Sequence, residues 1–260
     1  MASMTEPSGP GLSASLRDIS RQLVGARAAG TALAGPPGEW PASADDAYAL
    51  QAHSIAGWDD RVAGWKVGGV PSERRASFGA DYVAGPIFAA SVRYADGIGS
   101  TAMPIFDGGF AAIEPEFVFE LGEDRDGDRL FIGLEIASSP VPDLNDYGPT
   151  AVVSDFGNNF GLLVGPEIAD WRDRREPVPV VCTIDGQEVG AKKADFTGAL
   201  ASLQFLIDLA EMRGFDLPAG TFVSSGAITG VHEAECGARS VTSFGEFGSL
   251  AIELVSAAPR

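Results

Sequence analysis

Cysteine is almost missing from this 260-residue chain: Cys182 and Cys236 are the only two. They make no C-x-x-C pair and no framework of the kind that staples small secreted domains, so reduced thiols and a cytoplasmic location are expected. Histidine is equally scarce, with His53 and His232 alone, and neither lies at a spacing that suits zinc or copper. Basic residues are few, 18 Lys plus Arg against 36 Asp plus Glu, for a net charge of −18. That balance argues against nucleic acid or an anionic membrane as a partner. No uncharged apolar run approaches the length of a membrane span, and no basic leader precedes an apolar segment, so a soluble protein is expected. Gly157-Asn158-Asn159 fits neither the dinucleotide nor the Walker pattern, which leaves nucleotide binding unsupported.

What is present reads as one main domain of the α+β class, rich in strands. Residues 1–11 combine Ser, Pro and Gly with few apolar side chains and are expected to form a disordered tail. Residues 12–60 form a helical segment. Its first helix is expected from Ser15 to Ala34, with Leu16, Ile19, Leu23 and Val24 at helical spacing and Gly35-Pro36-Pro37-Gly38 as the stop. A second, capped by Ser43 and ended by Gly57, carries Asp45 and Asp46 in its favourable first turn. Both helices are expected to cover one side of the domain and to carry little chemistry, with His53 a packed or surface residue. Residues 61–260 form the catalytic β-rich part of the same globular unit. Short apolar strands are expected over 64–70, 87–92, 113–121, 130–136, 162–164, 178–184, 221–224, 239–244 and 250–255, interrupted by one long helix from Thr197 to Arg213 with Gly214 as its stop. Asp124-Arg125-Asp126-Gly127-Asp128 lacks the distal glutamate of a calcium loop and reads as a tight hairpin turn, as does Asp185-Gly186.

Three carboxylates break this apolar texture. Glu114 and Glu116 lie in Ile113-Glu114-Pro115-Glu116-Phe117-Val118-Phe119, and Glu135 lies in Gly133-Leu134-Glu135-Ile136. Residues two apart on a strand share a face, so Glu114 and Glu116 project together while Phe117 and Phe119 project to the other side. Two carboxylates about 4 Å apart repel by roughly 4 kcal/mol at an effective dielectric near 20, so a site gathering three needs protons or a cation. An all-oxygen set favours Mg²⁺ or Mn²⁺. The ordinary alternative, an E-x-E pair on the solvated face of a strand, stays open on these residues alone.

Several segments in a fixed order resemble the fumarylacetoacetate hydrolase superfamily: Gly64-Trp65-Lys66-Val67-Gly68, Ile113-Glu114-Pro115-Glu116-Phe117, Leu134-Glu135-Ile136, Ser154-Asp155-Phe156-Gly157-Asn158, Gly198-Ala199-Leu200, Leu217-Pro218-Ala219-Gly220 with Val223-Ser224-Ser225-Gly226, and Phe244-Gly245-Glu246-Phe247-Gly248. The branch they resemble most is that of the 2-keto-4-pentenoate hydratases and 4-oxalocrotonate decarboxylases, over residues 46–254. The resemblance implies mixed sheets forming that superfamily's β-roll or barrel, with N-terminal helices and one long helix packed outside, and it implies a homo-oligomer. It also implies that Glu114, Glu116 and Glu135 bind Mg²⁺ or Mn²⁺, that Lys66 lies beside the substrate and acts as acid or base, and that Gly68, Gly69, Ser225 and Gly226 line the pocket. Asp155 is expected to fix a pocket lysine or a metal-bound water, with a turn or capping aspartate as the equal alternative.

The implied activity is that of a metal-dependent lyase on a small 2-oxo acid, most simply hydration of a 2-keto-4-pentenoate-type substrate through a stabilised enolate. A 2-oxo acid decarboxylase, an acylpyruvate hydrolase and a catalytically silent partner subunit are the alternatives. Two features depart from the family's pattern. The stretch Phe78-Gly79-Ala80-Asp81-Tyr82-Val83-Ala84-Gly85-Pro86 has its acid shifted or absent, and the segment between Glu116 and Glu135 is short. Arg74 and Arg75 offer a positive edge to a second substrate carboxylate or are solvated helix charges, and His232 is expected at the surface.

Overall fold

Ser13 starts the first helix of the computed structural model, which describes residues 12–97 and 99–260; the tail expected over residues 1–11 falls outside them. The Ser13 hydroxyl accepts the Leu16 N–H at 3.2 Å, and α1 (Ala14–Ala29) then runs to Gly30. Gly30 ends the helix earlier than the expected stop at Gly35. At φ 65° it takes the left-handed cap that glycine adopts without penalty, and the backbone of Ala258 leaves no room there for a Cβ. α2 (Ala44–Ala56) is capped as expected, by Ser43 accepting from Asp46 N–H at 3.1 Å, and stops at Gly57.

The rest of the chain is β1 (Val62–Gly69), α3 (Ser72–Phe78), β2 (Tyr82–Phe88), β3 (Val92–Tyr94), β4 (Thr101–Ile105), β5 (Phe110–Glu120), β6 (Arg129–Ser139), α4 (Pro149–Ser154), β7 (Asn159–Glu167), β8 (Val178–Ile184), β9 (Gln187–Ala194), α5 (Thr197–Arg213), β10 (Phe222–Ser224), β11 (His232–Glu233), β12 (Arg239–Ser243) and β13 (Ser249–Ser256). The long helix lies where expected, and of the leucine stripe read from its sequence Leu203, Leu206 and Leu209 are buried while Leu200 is exposed. α3, α4, β4, β9 and β11 escape the sequence reading because they are short or, for β9, because an exposed edge strand carrying Lys192 and Lys193 shows no apolar alternation. Asp185 and Gly186, both at positive φ, form the expected hairpin between β8 and β9.

Two mixed sheets result. The larger follows the order β2-β1-β10-β5-β6-β7-β3, with β11 added beside β5, and curls into a half-barrel; the smaller follows β4-β13-β12-β8-β9. β5 and β6 pair without a break from Phe110–Ser139 to Glu120–Arg129. On one face of this pair, Phe117, Phe119, Ile132, Leu134 and Ile136 pack in the main core with Met103, Leu250, Ile252 and Leu254 of the small sheet and with Leu203 and Leu206 of α5.

The opposite face positions the site. Ala112 and Ala137 there join Ile19, Leu23 and Leu50 of the N-terminal helices, while Val118 and Phe131 join Leu162, Val164 and Phe222 in a separate apolar cluster. Strand alternation puts Glu114, Glu116 and Glu135 between these two clusters. A left-handed turn at Phe156, Gly157 and Asn158, with φ of 55°, 65° and 57°, lies against Gly85 of β2. α2 braces the region: Tyr48 Oη accepts from Ala84 N–H at 3.0 Å, and Gln51 donates to the carbonyls of Ala84 and Val153 at 3.0 and 2.8 Å. No helix among the described residues is long and apolar enough to cross a membrane.

The turn and Gly85 are in such close contact that a Cβ at Gly85 would overlap the Phe156 carbonyl, backbone that cannot yield. Gly85→Ala is therefore expected to destabilise the protein by about 2 kcal/mol or more. Gly25→Ala, in the exposed middle of α1 with open space around it, is expected to stabilise by about 0.5–1 kcal/mol. Urea unfolding of the two variants checks both signs.

Candidate metal centre

Glu114 and Glu135 are direct cross-strand partners, and Glu116 lies two residues along β5, opposite Gly133. One oxygen from each of the three carboxylates falls within 4.8 Å of the others. The expected trio is thus one cluster, and it is not solvated: Glu114 is 4% exposed, Glu116 and Glu135 are fully buried, and Lys66 beside them is 3% exposed. Lys66 comes from β1, and its Nζ stands 3.3 Å from Glu135 Oε2 and donates to Asn158 Oδ1 at 2.9 Å.

The remaining oxygens have few partners. Glu116 Oε2 accepts from Ser224 Oγ at 2.5 Å and from Gly226 N–H at 2.9 Å, and Glu135 Oε1 accepts from Asn159 Nδ2 at 3.0 Å. Glu116 Oε1 receives no hydrogen bond from the protein, and Glu135 Oε2 has only the Lys66 ammonium, at 3.3 Å. Buried carboxylate oxygens without donors are costly, and three ionised carboxylates with one ammonium leave two negative charges uncompensated. An all-oxygen site in this state fits a hard divalent cation such as Mg²⁺ or Mn²⁺.

The same imbalance appears in the protonation equilibria. Burial pushes the Glu114 carboxyl up to about 7, with Lys66 opposing the rise and Glu135 adding to it. Glu116 is raised well above the usual carboxylate range by burial and then by Glu135 and Glu114. Lys66 shifts in the opposite sense to a lysine subject to burial alone. Burial does lower its affinity for the proton, but Glu135, Glu114 and Glu116 together outweigh that and hold the ammonium more firmly charged than an ordinary lysine.

A cavity of about 330 Å³ opens onto Lys66 and Glu114, within the size range of small-molecule sites. Gly68 and Gly69 line it, as expected, with Val70, Val83 and Val152 as apolar walls and Arg74, Asn145 and Asn158 as polar ones. Ser225 and Gly226 are placed differently from a substrate-facing turn. Ser225 Oγ donates to the Phe117 carbonyl at 2.7 Å, Gly226 serves Glu116, and both line a second hollow behind the first.

Asp155 does not reach Lys66. Its carboxylate is held by Arg27 of α1, Nε to Oδ1 at 2.5 Å and Nη2 to Oδ2 at 2.8 Å, with both side chains out of solvent. The side chain that orients Lys66 is instead Asn158. Asp81 pairs with Arg75 at 3.4 Å near the surface and does not supply the shifted acid. Asn158, Asn159 and Arg27 were missed as site residues. Asn158 follows Gly157 at a positive φ that asparagine tolerates, and Asn159 opens the extended strand β7; Arg27 sits in phase with Ile19 and Leu23, on the apolar stripe of its helix, where a charge needs a buried partner.

By sequence, no family model and no curated protein matches the chain. Its three-dimensional form does have relatives. 4-Oxalocrotonate decarboxylase from Pseudomonas putida G7, complexed with magnesium and adipate, superposes with a TM-score of 0.72 at 18% identity, covering 93% of this chain and 97% of that one. The same enzyme with calcium and acetate gives 0.71 at 17% identity, with coverage of 93% and 97%. Fumarylpyruvate hydrolase from Pseudomonas aeruginosa, in complex with Mn²⁺ and pyruvate, gives 0.52 at 18% identity over 78% of this chain and 94% of that one. The chain therefore shares the fold of these enzymes, the fold that its resemblance to the fumarylacetoacetate hydrolase superfamily implied.

A carboxyl whose folded pKa lies above its unfolded value stabilises the fold below the unfolded value and loses that contribution as pH rises through the folded one. Glu114, ordinarily near 4.5 and here about 7, is expected to make the protein in chelator progressively less stable across that interval. Glu114→Gln should flatten the slope in urea titrations at several pH values, and Glu116→Gln should raise the midpoint at neutral pH.

Proposed function

We propose that this protein is a divalent-metal-dependent lyase acting on a 2-oxo acid, with decarboxylation of a 2-oxo dicarboxylate favoured over hydration. The observation that carries the proposal is the buried trio of Glu114, Glu116 and Glu135 beside Lys66, with Glu114 and Lys66 opening onto the cavity. The metals bound in the solved structures that it resembles, magnesium, calcium and Mn²⁺, support the same reading. A Mg²⁺ or Mn²⁺ ion held by these three carboxylates would supply Lewis-acid polarisation of a 2-oxo acid head group and charge compensation for its enolate.

The chain's own residues do the rest. Gly68 and Gly69 leave space for the head group to approach Lys66, and the valine walls exclude water from it. Lys66 has one proton engaged by Asn158 and another directed toward Glu135, which leaves the third for the cavity. It is placed to protonate carbon after C–C cleavage has left its electron pair in the enolate. Once the trio's charge is compensated, Lys66 is left with burial, which lowers its pKa and makes it the better acid.

Two observations favour decarboxylation. Arg74 lines the cavity, donates to the Asp146 carbonyl at 3.0 Å, and makes no ion pair among the described residues, so it is available to a second substrate carboxylate. The lining offers no carboxylate other than Glu114 and no histidine to activate water, whereas decarboxylation requires only a proton donor. A small 2-oxo acid as substrate and a homo-oligomer as working form complete the proposal.

With Mn²⁺ present, the protein is expected to bind oxalate and to release CO₂ from 4-oxalocrotonate. It is expected not to add water to 2-hydroxypentadienoate or to cleave an acylpyruvate. Lys66→Met should lower turnover at least about 100-fold while retaining Mn²⁺. Absence of Mn²⁺ binding in the wild-type protein rejects the whole scheme; water addition or acylpyruvate cleavage in place of CO₂ release rejects the choice among reactions.

A further inference from the structure

Arg27 is the most heavily engaged side chain outside the cavity. Besides its two bonds to the Asp155 carboxylate, it donates to the carbonyls of Asp155 at 3.0 Å, Asn159 at 3.0 Å and Ser138 at 3.2 Å. Its guanidinium also lies 5.1–5.7 Å from the ring centres of Phe106, Phe156 and Phe160, within the range of cation–π attraction. These contacts grip both ends of the segment Asp155–Asn159.

That segment is unfavourable by itself. Phe156 and Asn158 are non-glycine residues in the left-handed region, which crowds the Cβ of an L-residue against its own backbone. Such a backbone persists when its surroundings over-determine it. Here Arg27 does so from one side and Gly85 from the other. The segment delivers two side chains to the centre: Asn158, which accepts from Lys66, and Asn159, which donates to Glu135.

We propose that Arg27 is a positioning residue for the metal centre: by pinning the Asp155–Asn159 turn it fixes Asn159 on Glu135 and Asn158 on Lys66, so that an arginine of the N-terminal helix tunes cation affinity without touching the site. The inference rests on the reading of Glu135 as a metal ligand. Groups that orient metal ligands typically change affinity 10–100-fold when removed, and Arg27 acts one step further out.

The test measures Mn²⁺ affinity by EPR, well below the unfolding midpoint, for wild type, Arg27→Lys, Asn159→Ala and the double variant, and for Asp155→Asn as a nearly isosteric change. Arg27→Lys keeps a cation for Asp155 but cannot reach the three carbonyls. It is expected to weaken Mn²⁺ binding about tenfold, with Asp155→Asn changing it in the same direction. In the Asn159→Ala background the Arg27→Lys effect on affinity should vanish while its effect on the thermal midpoint remains. Lower midpoints with Mn²⁺ affinity unchanged within twofold would overturn the proposal, as would losses of affinity that simply add. If Arg27→Lys fails to fold, Asp155→Asn against Asn159→Ala gives the same contrast. A wild-type protein that binds no Mn²⁺ refutes the metal reading itself, whereas wild-type binding with unaffected variants refutes only the role of Arg27.

Discussion

Everything about the centre follows from one repulsion. Three carboxylates have been taken out of water and set within 4.8 Å of one another, with a single ammonium at 3.3 Å to oppose them. Hydrogen bonds from Ser224, Gly226 and Asn159 soften that repulsion without cancelling it. The sheet tolerates the arrangement because the acids occupy the middle of a face whose two ends are apolar clusters, one under the N-terminal helices and one against β7 and β10. The fold supplies the stability and the centre draws on it, as expected where strained or charged groups serve chemistry.

Much of this was legible in the sequence because it depended on local periodicity. The two-residue spacing of Glu114 and Glu116 determines a shared face once the segment is a strand, and the leucine stripe of α5 determines its burial. The Glu114–Glu135 pairing was not fixed by spacing alone, since it depends on the register of β5 against β6 across an intervening turn. The resemblance in motif order implied that the three acids share one site, and the register of β5 against β6 brings them together.

What escaped the sequence is non-local. Asp155 reads as a pocket acid because it lies in a segment that resembles the family, yet its partner is Arg27, 128 residues away. Nothing in the neighbourhood of either residue announces the other. Ser225 lies close to the centre, but its hydroxyl bonds the Phe117 carbonyl, and it is the amide of the neighbouring Gly226 that reaches Glu116. The charge of Lys66 is likewise set by residues remote in the chain: three nearby carboxylates outweigh the burial that alone would lower its affinity for a proton.

The ties that build the centre join residues far apart in the chain: 92 positions for Lys66 and Asn158, 108 for Ser224 and Glu116. Loops of that length must close before any of these contacts repays the lost chain entropy, which slows the folding of topologies dominated by distant pairings. The trio itself comes from the local β5–β6 hairpin, whereas the Lys66 and Ser224 donors that soften its charge reach it only when β1 and β10 have joined the sheet.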